Sequence, residues 1–455
     1  MTNNYLEIVE RGYTGDQVSK DYWDVDMIAM KTAEIVAEYG FSRDSDEITT
    51  VDEALLEKYY EAGRRLLIET GVYNIDTKRI IKLSAEEIDD AAKNAKKTLV
   101  MGEGKDAFTL YAREAEDKRK PGVWAGNPGC PTPERLFLPT VRSWAQEKAV
   151  DLITCGSIVD VDGYAVRSAE ASEVLAVRRE LSYLHQAAAF SGRPGIGMLA
   201  GESSVSEIGD LSSTAPGALR PCDSHLVALL NELIISRDNM VRAASSIDTG
   251  IRNASLACVM VGGLAGGAPG AVVCMIASML AANIVCRADY HLCHPIHINY
   301  IATSTRECMW LQSVVCQAFA KCAPAIIVCD IYPKSGALTK ELLYEVAANA
   351  LAITVSGGHL EGCGSCDGVK PHGTGLEARV MGETGLAASR AGITRAQAND
   401  IILKLLGKYE HVFETGNEGK PFDEAYDMRS VRPVPEWEAM YHEVKAELKE
   451  IGLAL

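Results

Sequence analysis

Residues 255–301 read SLACVMVGGLAGGAPGAVVCMIASMLAANIVCRADYHLCHPIHINYI, and this stretch contains the pattern that decides the fold. A short apolar run at 255–261 is followed by glycines and then by the longest apolar run of the chain, at 271–286. The long run is too short for a comfortable membrane span and carries the polar Asn283. The pattern predicts a strand, a buried helix that packs on a sheet, and a second strand at 296–301.

Comparable apolar runs alternate with helical patterns over about 250 residues, which is typical of a (β/α)8 barrel. The runs lie at 122–125, 151–158, 194–198, 255–261, 296–301, 325–331 and 352–356. The sequence therefore predicts an α/β fold, a TIM-like barrel at residues 119–405. Helical patterns on either side predict an N-terminal helical layer at 1–118 and a C-terminal helical extension at 406–455.

Several of the predicted strands end in polar or glycine-rich motifs. GNPGC follows the first at 126–130, Cys329 and Asp330 end the sixth, and SGGHLEGCGSC spans 356–366. Because the C-terminal ends of barrel strands meet at one face, these motifs predict that the chemistry lies there.

Composition narrows the class of protein. The net charge of -17 over 455 residues argues against a nucleic-acid partner, which requires clustered Lys and Arg. The 13 cysteines lack the dense, even spacing of a secreted disulfide scaffold. We therefore expect reduced thiols, a cytoplasmic location and no membrane association.

Motifs along the whole chain resemble those of the corrinoid-dependent monomethylamine methyltransferases. They include WD at 23–24, GKDA at 104–107, DSH at 223–225, NEL at 231–233, GGLAGG at 262–267, TSTRE at 303–307 and TGLEARVMGE at 374–383. The resemblance implies a barrel enzyme that forms a homo-oligomer. It also implies a corrinoid carried by a partner protein, since the chain has no Asp-x-His-x-x-Gly cobalamin motif.

The segment GRPGIGMLAGE at 192–202 carries the most consequential difference from that family. Family members have pyrrolysine, an electrophile, where this chain has Leu199. The family's acidic pocket residues correspond to Leu226 and Leu256, and its pocket glutamine corresponds to Asp330. If these leucines are not ordinary core residues, they predict a more apolar substrate pocket. Asp106, in the GKDA motif, and His297 are further substrate-binding candidates, and Asp106 is equally consistent with a structural role.

A leaving amine or alkoxide must be protonated or held by a Lewis acid. Asp330, at the end of a predicted strand, is the first candidate for this role, with His225 and Glu202 as further catalytic candidates. Alternatively, Asp330 is a surface or helix-capping residue. His225 is equally consistent with a structural histidine that caps a helix beginning near Leu226.

The densest group of metal-capable side chains lies between His359 and Cys366. It does not match a structural zinc signature, but it could join Cys329 in an open catalytic zinc site. The tentative ligands are Cys329, His359, Glu361 and Cys363. The alternative is a loop lined by reduced thiols.

These observations predict a methyltransferase that moves a methyl group from a small donor to cob(I)alamin on a partner protein. The three leucines favour an aryl methyl ether as donor, as in veratrol-type O-demethylases. The alternatives are a methylamine or another N-methyl compound, and a non-catalytic module that binds a corrinoid protein.

Overall fold

Eight parallel strands close into a barrel in the computed structural model, which describes residues 2–49 and 52–455. In chain order they are β1 (Val123–Ala125), β2 (Leu152–Ile153), β3 (Gly197–Ala200), β4 (Ser224–Leu229), β5 (Arg252–Val261), β6 (Tyr290–His297), β7 (Ile327–Ile331) and β8 (His359–Gly362). Each strand pairs with its neighbours in the chain, and β8 pairs with β1. The predicted TIM-like barrel is confirmed.

A helix follows every barrel strand and packs on the outside of the barrel. The eight helices are Glu134–Ala145, Ala171–Phe190, Glu207–Ser213, Arg237–Thr249, Ala268–Val285, Arg306–Cys322, Lys340–Ser356 and Gly375–Ala391. Short strands outside the barrel form small ladders at Val72–Asn74, Arg79–Ile81, Thr98–Met101, Phe108–Tyr111, Pro131–Thr132, Ser157–Ile158, Asp160–Val161, Tyr164–Ala165, Ile234–Ile235, Tyr426–Asp427 and Arg432–Pro433.

The bounds of two predicted strands and one expected helix were wrong. Residues 352–356 end the helix Lys340–Ser356, and the strand begins only at His359. That helix is buried on all sides, so its apolar run cannot be distinguished from a strand by periodicity. The strand predicted at 296–301 is β6, which begins at Tyr290, and β4 stands where a helix was expected near Leu226.

The region before the barrel is mainly helical. Its helices are Thr2–Thr14, Lys20–Tyr22, the π-helix Trp23–Met30, Lys31–Tyr39, Glu53–Thr70, Ala85–Asn94 and the short 3-10 turn Gly104–Asp106. Glu53–Thr70 packs along Ala268–Val285, so that this apolar helix is enclosed between the N-terminal helices and the barrel. By length and composition Ala268–Val285 could cross a membrane, and 83% of it is buried inside the protein.

Further helices follow the barrel, at Arg395–Tyr409, Val412–Thr415, Phe422–Ala425 and Pro435–Glu450, and a short 3-10 turn lies at Cys366–Gly368. The terminal helix is anchored by Trp437, whose indole N–H donates to Thr374 Oγ1 at 3.1 Å. The boundary predicted between residues 405 and 406 falls inside the helix Arg395–Tyr409, and the division into three regions stays a prediction.

A hairpin formed by Thr98–Met101 and Phe108–Tyr111 fills the N-terminal end of the barrel. Leu99, Met101 and Leu110 from this hairpin form one apolar cluster with inward-facing barrel residues such as Trp124 and Tyr290. Since packed side chains occupy that end, open space in the barrel is left at the C-terminal end.

The contact between Glu53–Thr70 and Ala268–Val285 is tightest at Gly63, where an added Cβ would lie 2.6 Å from the Ile276 Cβ and 3.0 Å from the Val273 carbonyl oxygen. Gly63→Ala should therefore destabilise the protein by about 1 to 3 kcal/mol, because the two helices must separate. Chemical denaturation measures this loss.

Gly407→Ala is the matched control, since a Cβ at this helical glycine meets nothing within 4 Å. The better helix propensity of alanine should make that variant up to about 1 kcal/mol more stable. Equal stability changes in the two variants would show that the helices do not interlock at Gly63.

Candidate active site

A cavity of about 130 Å³ opens at the C-terminal end of the barrel. It is lined by Pro128, Gly129, Leu199, Glu202, Leu226, Leu256, Leu292, His294, Asp330, Tyr332 and Glu361. Because side chains alternate along a strand, each barrel strand sends every second residue inward. The cavity is therefore assembled from several strand ends, as in barrel enzymes generally.

Leucines form one part of the wall. Leu199, Leu226, Leu256 and Leu292 come from the four consecutive strands β3 to β6. The structure thus brings together the three leucines predicted to bind substrate, and adds a fourth.

Carboxyl groups form another part of the wall, beside the leucines that were predicted to make the pocket more apolar. Asp330 lies on β7, Glu361 on β8 and Glu202 just after β3. Among the described residues, no N–H or hydroxyl donor reaches Glu202 Oε1, Asp330 Oδ1 or either Glu361 carboxyl oxygen, and the Glu361 and Asp330 carboxyl groups are close enough to share a proton. A buried polar atom without a partner is costly, so these oxygens mark the place of a missing donor.

Burial and mutual repulsion keep two of these acids protonated. Burial, followed by the charge of Glu180, raises the pKa of Glu202 to about 8. Burial and the charges of Asp330 and Glu202 raise the pKa of Glu361 well above its usual value. The cavity can therefore release protons when a cation enters it.

His294 lines the cavity and was not among the candidates of the sequence analysis. Its Nδ1 lies 2.5 Å from Asp330 Oδ2, and its ring meets the Tyr332 ring edge-on at 4.6 Å. The strand was predicted to begin at residue 296, which left His294 outside it. Extending the strand back to Tyr290 in strict alternation would have placed Leu292 and His294 on the inner face.

Two glutamates of the helix Ala171–Phe190 hold the loop that carries Glu202. Glu180 accepts the backbone N–H groups of Gly201, Glu202 and Ser203 at 2.7 to 3.2 Å. Glu173 accepts those of Val205 and Ser206 at 2.6 and 2.7 Å. The two acids lie seven residues apart, on one face of the helix, and fix the position of Glu202 through its backbone.

His225 does not face the cavity, which corrects its assignment as a catalytic residue. It points outward from β4, where Nδ1 lies 3.0 Å from Asp210 and Nε2 lies 2.7 Å from Asn253 Oδ1. Burial alone would lower the pKa of His225, but the Asp210 carboxylate reverses this and raises it. His225 is therefore a buried structural residue whose two ring nitrogens join β4 to β5 and to the helix Glu207–Ser213.

The other two substrate-binding candidates also lie outside the cavity. Asp106 accepts the Gly195 N–H at 3.1 Å, just before β3, and therefore lies at the opposite end of the barrel. His297 is the last residue of β6, stacks on Tyr300 with a ring-centroid distance of 4.5 Å, and does not line the cavity. Its outward position follows from the alternation that turns His294 inward.

The four tentative metal ligands do not converge. Both ring nitrogens of His359 are engaged, with Gly122 N–H at 2.7 Å and the Tyr111 carbonyl at 2.8 Å. Cys329 faces outward, with its Sγ 3.4 Å from Cys316 Sγ, and Cys363 lies against Met381. Within the part of the chain that the structure describes, no group of three His, Cys, Asp or Glu is arranged to hold a metal ion. Only Glu361 of the four lines the cavity.

Known proteins are similar to this chain over nearly its whole length. The family model for monomethylamine methyltransferase MtmB matches residues 4–453. MtmB of Methanosarcina mazei is 34% identical over 449 residues, which cover 98% of this chain and 97% of the relative. MtmB2 of Methanosarcina acetivorans is 34% identical over 455 residues, with the same coverage.

Solved structures agree with the sequence comparison. The crystal structure of MtmB from Methanosarcina barkeri superposes with a TM-score of 0.96 at 33% identity, covering 99% of this chain and 98% of the other. A hydroxylamine complex of MtmB gives the same values. By sequence and by fold, this chain belongs to the monomethylamine methyltransferase family.

Proposed function

We propose that this protein transfers a methyl group from a methylated amine, bound in the barrel cavity as its ammonium ion, to a corrinoid carried by a partner protein. The observation that carries the proposal is the set of carboxyl oxygens without partners that face the cavity from Glu202, Asp330 and Glu361. An ammonium group supplies both the N–H donors and the positive charge that such oxygens need.

This site favours a methylated amine over an aryl methyl ether. The oxygen of an ether can accept a hydrogen bond from one of the protonated acids, but an aryl ether brings no positive charge and no N–H donor to the group of carboxyls. A cavity of roughly 150 Å³ holds benzene alone, whereas this one measures about 130 Å³. The leucines that favoured an ether in the sequence analysis form only part of the wall.

Leu199 changes how the donor is held. The resemblance to the family assigns an electrophilic side chain to this position, and a leucine forms no adduct with an amine. The carboxyl groups therefore bind the nitrogen by charge and hydrogen bonds, and the leucines contact the methyl group. Burying one methyl group contributes about 0.8 kcal/mol.

A reduced corrinoid supplies the nucleophile that accepts the methyl group. The mouth of the barrel suits a flat macrocycle, because Leu230, Leu264 and Ile298 are 43%, 36% and 42% exposed on the loops after β4, β5 and β6. The glycines at 262–267 allow close approach to the backbone there. A homo-oligomer and a cytoplasmic location stay predictions.

The substrate class can be tested with free reduced cobalamin as methyl acceptor. Monomethylamine should be demethylated by the purified protein, and anisole should not, because only the amine brings a positive charge to the carboxyl groups. The absorbance change of cobalamin on methylation measures both reactions. Faster transfer from anisole would disprove the proposal.

Binding of methylammonium should depend on pH. Glu202 has a pKa of about 8, so a cation that binds below this pH must displace a proton. Affinity should rise as the pH increases from 6.5 to 8.5, and proton release per bound cation should fall. Calorimetry in two buffers of different ionisation enthalpy measures both quantities.

Glu202→Gln should reduce the affinity and the proton release. The control is Glu207→Gln, which changes a surface acid of the next helix that pairs with Arg237 at 3.1 Å. It should leave both quantities unchanged. An affinity independent of pH in the native protein would show that the Glu202 carboxyl group does not bind the cation.

A further inference from the structure

Asp330 is hydrogen-bonded to His294, and the proposed binding of a cation by carboxyl groups does not explain this contact. His294 Nδ1 is engaged with Asp330 Oδ2 at 2.5 Å, whereas no described residue is hydrogen-bonded to Nε2. His294 lines the cavity. The ring of this cavity-lining residue therefore has one nitrogen held by a carboxylate and the other without a hydrogen-bond partner among the described residues.

Neighbouring groups fix this orientation. Gln312 donates to the Asp330 backbone oxygen at 2.8 Å, and so secures the strand beside the carboxylate. Tyr332 packs edge-on against the imidazole and donates its hydroxyl hydrogen to the Pro128 carbonyl. A carboxylate on Nδ1 holds a histidine in the tautomer and orientation in which Nε2 can exchange protons.

We propose that His294, oriented by Asp330, is a catalytic residue that gives its Nε2 proton to the departing amine nitrogen. This inference rests on the proposed function. When the C–N bond breaks, its electron pair stays on nitrogen and the methyl group passes to the acceptor. The new N–H bond uses that pair, the Nε2–H bond breaks, and the imidazole becomes neutral until solvent protonates it again.

The proton matters because a freed amine keeps a lone pair beside the transferred methyl group and can take it back. A protonated amine has no lone pair and cannot. The titratable groups that face His294 are Asp330, Tyr332, Glu202 and Glu361, with Cys258 nearby on β5. Of these, only Asp330 is hydrogen-bonded to the ring.

The test compares His294→Ala with His297→Ala, which removes a histidine of the same strand that faces away from the cavity. Methyl transfer from methylammonium to free reduced cobalamin should fall by about 10²- to 10⁴-fold in His294→Ala and stay unchanged in His297→Ala. Because the carboxyl groups remain, the affinity for methylammonium by calorimetry should change little. Added imidazole should restore part of the lost rate, which a purely structural histidine would not permit.

A rate in His294→Ala equal to that of the control, or a loss that imidazole does not relieve, overturns the inference. If His294→Ala does not fold, two other measurements decide. Asp330→Asn should lower kcat more than it raises KM. In the native protein, the ¹⁵N resonance of His294 Nε2 should shift when methylammonium binds, and an unchanged resonance overturns the inference. Failure of the proposed function would differ, since the native protein itself would then transfer no methyl group from the amine.

Discussion

A carboxyl group loses strong hydration when it is enclosed in a protein, and the active end of this barrel is organised around that cost. Glu173 and Glu180 accept hydrogen bonds from backbone N–H groups in place of water, and these bonds fix the loop after β3. Glu202, Asp330 and Glu361 keep oxygens without partners. Glu173 and Glu180 therefore have their hydrogen bonds satisfied within the protein, whereas the three cavity acids need a bound cation to satisfy theirs.

The rest of the fold maintains this arrangement. Side chains of the hairpin Thr98–Met101 and Phe108–Tyr111 fill the N-terminal end of the barrel. The cavity therefore lies at the C-terminal end, where the strands carry acids and leucines. Outside the barrel, the His225–Asp210 pair and the tightly packed helix Ala268–Val285 hold the strands that supply the leucines. The shape of the cavity therefore depends on packing that is distant from it.

Sequence reasoning identified the barrel and much of its active face, because strand ends and polar motifs coincide in the printed sequence. Six of its candidate residues line one cavity in the structure: Leu199, Leu226, Leu256, Asp330, Glu202 and Glu361. It failed where strand bounds decide which way a side chain points, as for His225 and His294. Pattern alone could not separate an all-round buried helix at 352–356 from a strand, nor show that His359 has both nitrogens occupied.

The leucine wall also limits how selective such a site can be. Ammonium, which is the proposed methylammonium donor without its methyl group, would satisfy the same carboxyl oxygens and would differ only in the contact with the leucines. One methyl group contributes about 0.8 kcal/mol, or roughly a fourfold preference in binding. Ammonium that accumulates should therefore compete with the donor for the site and inhibit the enzyme. Continued turnover would then depend on removal of ammonium by the cell.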